Sequence, residues 1–482
     1  MEETPRRKWP FVLGIVIALL ALGFWLTRGT TSTRSLDELS GKRPLLVEAE
    51  SEFIPSVSLA KPIGWKAGEA PTPTKGLEVA RFADGLNHPR TMLTLPNGDV
   101  LVALTSAPEG SGSGFFFWLF KTFVGAGDPS PNKIVLLRDT DGDGKAEGRF
   151  SFRKDGLDSP SGMALVDGKL YIANHDAVLA FDYTTGDTEL KGAPRKVMDL
   201  PPAGNHWMRN LLPSKDGKAL YIAVGSATNI ADDGVVAEEG RAAIWELNLE
   251  TLRQRQYAVG LRNPNGMAWN PSTGELWTVV NERDMLGPDL VPDYLTNVPV
   301  GAQYGWPWLY WKDQIDWRVN YPIPDYLNEY TRKPEYSMGP HVAPLGLEFV
   351  TGGQRMGADF ANGAFVARHG SWNRKPPVGY DVVFVAFDAN GNPLDLPKPV
   401  LTGFLTGEGD ARGRPTWLAW DKVGALLVSD DTGGVIWRVI APGAAPSAAV
   451  KPVIVARMPA RHQIDAPSAA SFGKEGEVKV RE

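Results

Sequence analysis

Cysteine is absent from the 482 residues of this chain. Its absence excludes disulfide bonds, a lipoprotein anchor, a thiolate zinc site and covalent c-type haem, because each of these needs the cysteine side chain. The chain also has no excess of positive charge: its formal net charge is −6 and its pI is about 5.7. This balance argues against a nucleic-acid partner, which a basic surface would recognise.

One long apolar run stands near the N-terminus. Residues 10–27, PFVLGIVIALLALGFWLT, are nearly all apolar and are about the minimum length that spans a bilayer. Three basic residues precede the run and Arg28 alone follows closely, so the positive-inside rule places residues 1–9 in the cytoplasm. A cleaved signal peptide is the alternative, but no small-x-small site precedes the polar stretch at 30–35. The sequence therefore predicts an uncleaved transmembrane anchor and an exported remainder.

A hairpin-like unit is repeated six times in the rest of the chain. Its clearest copy, at 204–226, has a polar opening, an apolar run, a Lys-Asp-Gly turn and a β-rich second run, which together favour a β-hairpin. Similar units occur at 89–103, 160–174, 263–282, 345–370 and 414–431, with turn glycines at Gly98, Gly168, Gly217, Gly274, Gly363 and Gly424. Six copies with room for four strands each predict an all-β, six-bladed β-propeller.

The repeats define the predicted domain organisation. The propeller is expected at 76–441, preceded by a linker and approach segment at 28–75 and followed by an Ala/Pro-rich, then charged tail at 442–482. An aromatic insertion at 109–131 is interpreted as a helix packed on the propeller, or alternatively as a second membrane contact. An excursion at 281–340 is long enough for a loop that builds a site or lid.

The loop DTDGDGKAE at 139–147 begins like a calcium loop, with Asp139, Asp141 and Asp143 at alternate positions. A complete EF-hand needs a bidentate glutamate at loop position 12, and that position is Phe150. We therefore predict a hairpin tip rich in turn-forming residues. A structural calcium site is the alternative.

The residues just before the innermost strands of a propeller meet at one mouth of its channel. Aligning the six openings places these residues there: His88 and Arg90, Ser159, Asn205 and His206, Arg262 and Asn263, Pro344, and Arg414. The two histidines and three arginines bring positive charge and groups that titrate near neutral pH. Because arginine pairs with carboxylates at two points, the ring suits a planar, multiply anionic ligand. Capping of strand ends by these side chains is the alternative.

Five segments in this region carry a resemblance. These segments are HWMRNLLPSKDGKALYIAVGS, GLRNPNGMAWNPSTGELW, YGWP, HGSWNR and GRPTWLAWDKVGALLVSDD. They resemble the glucose/sorbosone dehydrogenase family, and most closely its sorbosone dehydrogenase-like branch. The likeness runs from about residue 75 to residue 441. It implies a six-bladed propeller that uses pyrroloquinoline quinone (PQQ), a tricarboxylated ortho-quinone, together with calcium.

The resemblance also implies roles for individual residues. His206 is expected to act as the general base that takes a hydroxyl proton while hydride passes to the quinone. Arg262 and Asn263 are expected to face the quinone and the substrate. Contacts to the cofactor are expected from Arg414, Arg374, Lys375, Arg90 and His88. Calcium, which would polarise the quinone carbonyl, is expected at Glu282, Asp284 and Met285, largely through backbone carbonyls.

This chain departs from the glucose-oxidising pattern at several positions. The aspartate that partners the base there is Ser226 here, so another group must orient His206. A lysine in the HGSWN segment is Asn373, with Arg374 and Lys375 adjacent. The second arginine after Gly413 is Thr416, which leaves Arg412 or Arg90 to neutralise the remaining carboxylate. Gly287 and Pro288 come later than the Gly-Pro of the family's calcium loop.

We therefore predict a PQQ-dependent sugar dehydrogenase, anchored in the inner membrane and facing the periplasm, that oxidises an aldose or an aldehyde sugar such as sorbosone. Without a covalent haem site, it would pass electrons to an external acceptor, either membrane quinone or a cytochrome. A calcium-dependent lactonase or esterase is one alternative, but its axial site would need carboxylates and Asn, whereas this ring is His/Arg. A non-enzymatic binding propeller is the other.

Overall fold

The structure is a computed structural model, and it describes residues 30–52, 56–111 and 129–453 together with Gly14, Ile17 and Ala18. Nearly all of the predicted anchor, most of the insertion at 109–131 and the tail beyond residue 453 lie outside the described residues. Within the described part, no helix is both long and apolar enough to cross a membrane. The anchor therefore stays a prediction.

The strands of the first three blades follow two N-terminal strands, β1 (Thr72–Pro73) and β2 (Glu78–Ala83). Blade one contains β3 (Pro89–Thr94), β4 (Val100–Leu104), β5 (Lys133–Arg138) and β6 (Gly148–Arg153). Blade two contains β7 (Gly162–Val166), β8 (Lys169–Ala173), β9 (Ala177–Asp182) and β10 (Arg195–Asp199). Blade three contains β11 (Leu211–Pro213), β12 (Ala219–Val224), β13 (Ala243–Asn248) and β14 (Gln254–Val259), with a 3₁₀-helix at Val235–Glu238.

The second half of the chain builds the other three blades. Blade four contains β15 (Pro264–Trp269), β16 (Leu276–Val280), β17 (Pro292–Asn297) and its last strand, β21 (Tyr336–Pro340). Between β17 and β21 the chain forms β18 (Ala302–Gln303), β19 (Leu309–Tyr310), β20 (Gln314–Ile315) and helix α1 (Leu327–Tyr330). Blade five contains β22 (Pro344–Phe349), β23 (Gly363–Arg368), β24 (Asp381–Ala386) and β25 (Lys398–Thr402), with a 3₁₀-helix at Ala358–Phe360. Blade six contains β26 (Pro415–Trp420), β27 (Leu426–Asp430) and β28 (Val435–Ile440).

The first strands of the six blades pack against one another in a closed ring, in the order β3, β7, β11, β15, β22 and β26, with β26 returning to β3. Within each blade, consecutive strands pair antiparallel. The predicted six-bladed propeller is therefore confirmed. Its innermost strands begin within one or two residues of the polar openings. The repeats could therefore be recognised from short stretches of sequence.

The second strand of each blade is apolar because neighbouring blades cover both of its faces. All five residues of β4, VLVAL, and of β16, LWTVV, are buried. Strands covered on both sides lose the polar/apolar alternation of a half-exposed strand. The core clusters accordingly lie between adjacent blades, with Leu101 of blade one and Ile172 of blade two in one of them.

The last blade takes its outermost strand from the other end of the chain. β2 pairs antiparallel with β28, from Glu78 opposite Ile440 to Ala83 opposite Ile436. Trp437 of β28 is fully buried, and Trp65, which precedes β2, packs edge-on against it at 5.2 Å between ring centroids. The ring is thus closed by a strand that precedes the first repeat.

Two segments predicted as irregular are integrated into the fold. The excursion at 281–340 supplies the outer strands β17 and β21 of blade four, and β18 pairs in parallel with β14 of blade three. The approach segment, defined from here on as residues 30–75, hydrogen-bonds through its backbone to Ser337, Met285, Trp372 and Ala411, and so crosses loops of blades four, five and six. One turn prediction was wrong: Gly363 begins β23 after a longer loop.

Candidate active site

Two sets of residues converge at one mouth of the channel. The residues of the predicted ring lie just before the first strand of each blade or, as Arg90 and Pro344 do, at its first two positions. Because the second strand runs antiparallel to the first, the residues that follow it lie at the same mouth. Ser226 follows β12, Glu282 follows β16, His369 follows β23 and Asp431 follows β27. The site is assembled from both sets.

His206 is held in one tautomer by the backbone. Its Nδ1 lies 2.8 Å from the carbonyl oxygen of Ser226 and 3.0 Å from the hydroxyl of the same residue. Since that hydroxyl donates to the carbonyl of Thr228 at 2.7 Å, Nδ1 carries the hydrogen and donates it. Nε2 therefore holds the lone pair, and it makes no hydrogen bond to any described residue. Ser226 thus supplies the orientation that the missing aspartate leaves open.

The imidazole of His206 is neutral at pH 7. Burial, reinforced by the positive charge of Arg262, lowers the pKa of His206 to about 3. Behind the ring, the fully buried Arg209 donates from Nη1 to the carbonyl of His206 at 3.0 Å. The histidine is therefore a fixed proton acceptor on a rigid backbone.

Arg262 is buried beside His206 and is satisfied by the protein. Its Nη2 forms an ion pair with Asp284 at 3.1 Å, and its Nη1 donates to the carbonyl of Glu282 at 2.6 Å. Asp284 also pairs with Nδ1 of His341 at 3.4 Å. Burial opposes ionisation of Asp284, but His341 and Arg262 outweigh it and keep its pKa below the ordinary value. Arg262 therefore adds fixed charge to the site, while the protein supplies acceptors for all five of its N–H donors.

A second cluster lies across the mouth, around Asp431. The carboxylate of Asp431 forms a salt bridge with Nη1 of Arg90 and lies 3.0 Å from Nε2 of His369. Burial, reinforced by Arg414, lowers the pKa of His369 to about 4. His369 is therefore neutral at pH 7, and the charge of Asp431 is balanced by Arg90.

The two clusters are joined through the residues that follow His206. Nε and Nη2 of Arg90 both lie 3.3 Å from the thioether sulfur of Met208, and its guanidinium lies 5.5 Å from the centroid of the Trp207 ring. Arg414 donates to the carbonyls of His369 and Gly370 at 3.0 and 2.9 Å. The structure thus brings His206, Arg90 and Arg414 to one opening.

Three predicted cofactor residues are placed differently. Arg374 is buried away from the ring: it pairs with Asp289 and donates to Ser32 of the approach segment at 2.7 Å. The prediction that Arg374 binds the cofactor was wrong, because both of its terminal nitrogens are held by Pro288, Asp289 and the approach segment. Lys375 is exposed beside it. His88 is half-buried, near enough to Asp431 to help keep the pKa of that carboxyl low.

The predicted calcium residues do not fit a cation. The carboxylate of Glu282 is tied to the buried Arg283 at 3.0 Å. The carbonyl oxygens of Asp284 and Met285 both accept from Nη1 of Arg318, each at 2.9 Å. With the carboxylate of Asp284 held by Arg262 and His341, guanidinium and imidazole groups already occupy this segment. The assignment of calcium to Glu282, Asp284 and Met285 is therefore corrected.

The chain is similar to known proteins in sequence and in fold. Its sequence matches the TrAA12-like family model over residues 138–296 and 325–441, which is more than half of the chain. The chain belongs to the TrAA12-like family. An uncharacterized protein of Borreliella burgdorferi is 26% identical to this TrAA12-like chain over 377 residues, covering 76% of the chain and 89% of that protein.

Relatives of this TrAA12-like chain include quinone-dependent sugar dehydrogenases. A pyrroloquinoline quinone-dependent sugar dehydrogenase of Hypocrea jecorina is 26% identical over 320 residues, which are 56% of this chain and 71% of that protein. The holo form of the pyranose dehydrogenase PQQ domain from Coprinopsis cinerea superposes with a TM-score of 0.60 at 21% identity, covering 80% of this chain and 100% of that domain. At this identity the superposition shows the shared fold. The predicted family resemblance is confirmed.

Sequence reasoning missed several site residues of the TrAA12-like chain. His369 and Asp431 stand inside the motifs HGSWNR and LLVSDD but received no role. Their signal was positional, since both directly follow a second strand. Arg318 belongs to the excursion and His341 directly follows it. Their contacts with the ring depend on long-range pairing and carry no local signal.

Proposed function

We propose that this TrAA12-like protein is a PQQ-dependent dehydrogenase that oxidises an aldose or an aldehyde-bearing sugar such as sorbosone. One observation carries the proposal: a half-buried, neutral His206 presents Nε2 without a hydrogen-bond partner among the described residues, at the mouth that also holds Arg90 and Arg414. Transfer of hydride from a sugar to an anionic quinone requires a group that accepts the hydroxyl proton and groups that bind the anionic cofactor. The family membership and the named activities of the relatives support it.

The donors at the mouth fit a carboxylate-bearing ligand. Two of the donor nitrogens of Arg90, Nε and Nη2, face only the weakly accepting sulfur of Met208. Nη1 of Arg414 makes no hydrogen bond to a described residue, while its other two nitrogens are held by carbonyls. Arginines fixed in place with unused donors are suited to pairing with carboxylates. Arg90 and Arg414, with His88 nearby, would hold PQQ.

The residues of the chain divide the remaining work. PQQ, when bound, supplies a quinone carbon that accepts hydride. His206 takes the proton of the substrate hydroxyl at Nε2, and the carbonyl of Ser226 stabilises the imidazolium that results, through its hydrogen bond with Nδ1. The positive charge of Arg262 and the amide of Asn263 orient substrate and cofactor beside it. The half-buried position of His206 limits the access of water to the proton acceptor.

Calcium has a separate candidate place in the described residues. Ligand oxygens of Asp139, Asp141, Asp143 and Glu147 lie within 4.8 Å of one another. This group is at the tip between β5 and β6, and by the antiparallel order of blade one that tip lies at the end opposite the mouth. Calcium bound there would stabilise the hairpin and take no part in catalysis.

We further propose an N-terminal anchor in the inner membrane, with the propeller on the periplasmic side. The apolar run at 10–27 and the basic residues before it support this placement. Electrons would pass to an external acceptor, membrane quinone or a cytochrome, because the absence of cysteine excludes a covalent c-type haem of its own.

The test is reconstitution. Purified protein is incubated with PQQ, and sugar-dependent reduction of a dye is recorded with a panel of aldoses and sorbosone. The proposed function predicts PQQ-dependent reduction, lost in His206→Ala. Hydrolysis of lactones in place of dye reduction would favour the hydrolase alternative, and binding of PQQ without any turnover would favour a binding propeller.

A further inference from the structure

We propose that the guanidinium of Arg318 takes the place of a metal ion beneath the cofactor, so that this protein binds PQQ without calcium. The inference rests on the proposed function and concerns the same site. It starts from the segment 284–285, where the family resemblance implied a metal and the geometry shows an arginine.

Two consecutive carbonyl oxygens converge on a single nitrogen. Nη1 of Arg318 lies 2.9 Å from the oxygen of Asp284 and 2.9 Å from the oxygen of Met285. Oxygen atoms that converge on one point are the arrangement in which proteins bind calcium, at 2.3–2.6 Å. Here the convergence point holds a charged N–H group, and a metal ion at the same point would collide with it.

The guanidinium cannot move aside without breaking a buried ion pair. Nε and Nη2 of Arg318 contact the two carboxylate oxygens of Asp316 at 2.9 and 2.7 Å, which is the two-point geometry of strong arginine–carboxylate pairs. The side chain of Asp316 is 0% exposed and also pairs with Arg283 at 3.3 Å. Arg318 is therefore a built part of the site.

Arginine side chains already pair with three of the carboxylates around the segment. Three guanidinium groups, of Arg262, Arg283 and Arg318, face three carboxylates, of Glu282, Asp284 and Asp316. His341 adds an imidazole against Asp284. A calcium ion would add two positive charges beside three arginines whose guanidinium groups already pair with the carboxylates of the segment and of Asp316. The nearby carboxylate of Asp293 is held by the backbone N–H groups of Glu282 and Ala343. The positive charge that calcium would direct at the ligand is supplied by the arginine.

The experiment measures PQQ binding with and without calcium. The full-length protein is purified in detergent with Asp141→Asn and Asp143→Asn, which removes the acidic hairpin tip as a source of calcium effects. PQQ is titrated by quenching of tryptophan fluorescence in excess EDTA and in excess CaCl₂. We expect the same Kd in both buffers.

Arg318→Gln should weaken binding in EDTA by about 10- to 100-fold, the effect of losing a charged hydrogen-bond donor. The matched control is Arg255→Gln, an exposed arginine of blade three paired with Glu246, which should not change the Kd.

Two results would overturn the inference. One is PQQ binding that requires calcium in the protein with Arg318 intact. The other is an Arg318→Gln variant that binds PQQ in EDTA as tightly as its parent. If PQQ binds in neither buffer, the proposed function fails, and calorimetric titration of calcium alone then tests whether Arg318 occupies the metal position. No binding heat in the tip variant supports that replacement, and stoichiometric binding contradicts it.

Discussion

Arg283 offers a direct measurement of what holds the site loop in place. Its side chain is fully buried and donates to two carboxylates and two carbonyls: Glu282 at 3.0 Å, Asp316 at 3.3 Å, Pro307 at 2.5 Å and Leu309 at 2.7 Å. Arg283→Met keeps the apolar stem but leaves the carboxylate of Glu282 buried without a cationic partner. Removing one member of a buried ion pair costs about 3–5 kcal/mol.

The expected shift in melting temperature follows from the size of the propeller. About 2.1 cal/mol/K per residue over residues 78–440 gives an unfolding entropy near 0.8 kcal/mol/K, so the melting temperature should fall by roughly 4–7 °C. Scanning calorimetry measures this. Arg255→Met, which breaks an exposed pair with Glu246, should cost only about 0.2–1 kcal/mol. Equal shifts in the two variants would refute the argument that burial sets the cost.

Three further outcomes are expected. Burial raises the pKa of Glu348 to about 8, so the folded state holds a proton that the unfolded state releases, and stability should fall as the pH rises from about 5 to 8. Urea unfolding should show a smaller fall in Glu348→Gln, and an unchanged pH slope would contradict this. His206→Ala should lower kcat in dye reduction by about 10²–10⁴-fold, whereas Ser226→Ala, which keeps the orienting carbonyl, should lose less than about 10-fold; similar losses would show that the hydroxyl is the orienting group. Arg90→Met should weaken PQQ binding by about 10–100-fold, measured by fluorescence quenching, and an unchanged Kd would remove Arg90 from the cofactor site.

The propeller could be predicted because its signals are local. Each inner hairpin carries its polar opening, apolar strands and turn within about twenty residues, as in the copy at 204–226. The approach segment and the excursion could not be predicted in this way. Their structure depends on partners distant in the chain, such as the bridge from Gly41 to Ser337, and such pairings leave no periodicity in the sequence.

The site residues show the same difference between local signals and long-range contacts. The ring residues His206, Arg90 and Arg414 were found because they precede predicted strands. Arg374 was misassigned because an arginine in the motif HGSWNR is equally suited to bind a cofactor or to pair with a carboxylate of the protein. Asp289 decides between them, and it lies 85 positions away. The calcium assignment failed for the same reason, since Arg318 reaches the segment from the excursion.

Closure of blade six by β2 has a consequence for biosynthesis. The strand at 78–83 leaves the ribosome early, whereas its partner at 435–440 is made about 350 residues later. At typical synthesis rates of 5–20 residues per second, the early strand stays without its partner strand for roughly 20–70 s. During that interval its unpaired edge is open to association with other chains. We therefore expect truncations before residue 435, which lack the partner of this strand, to aggregate.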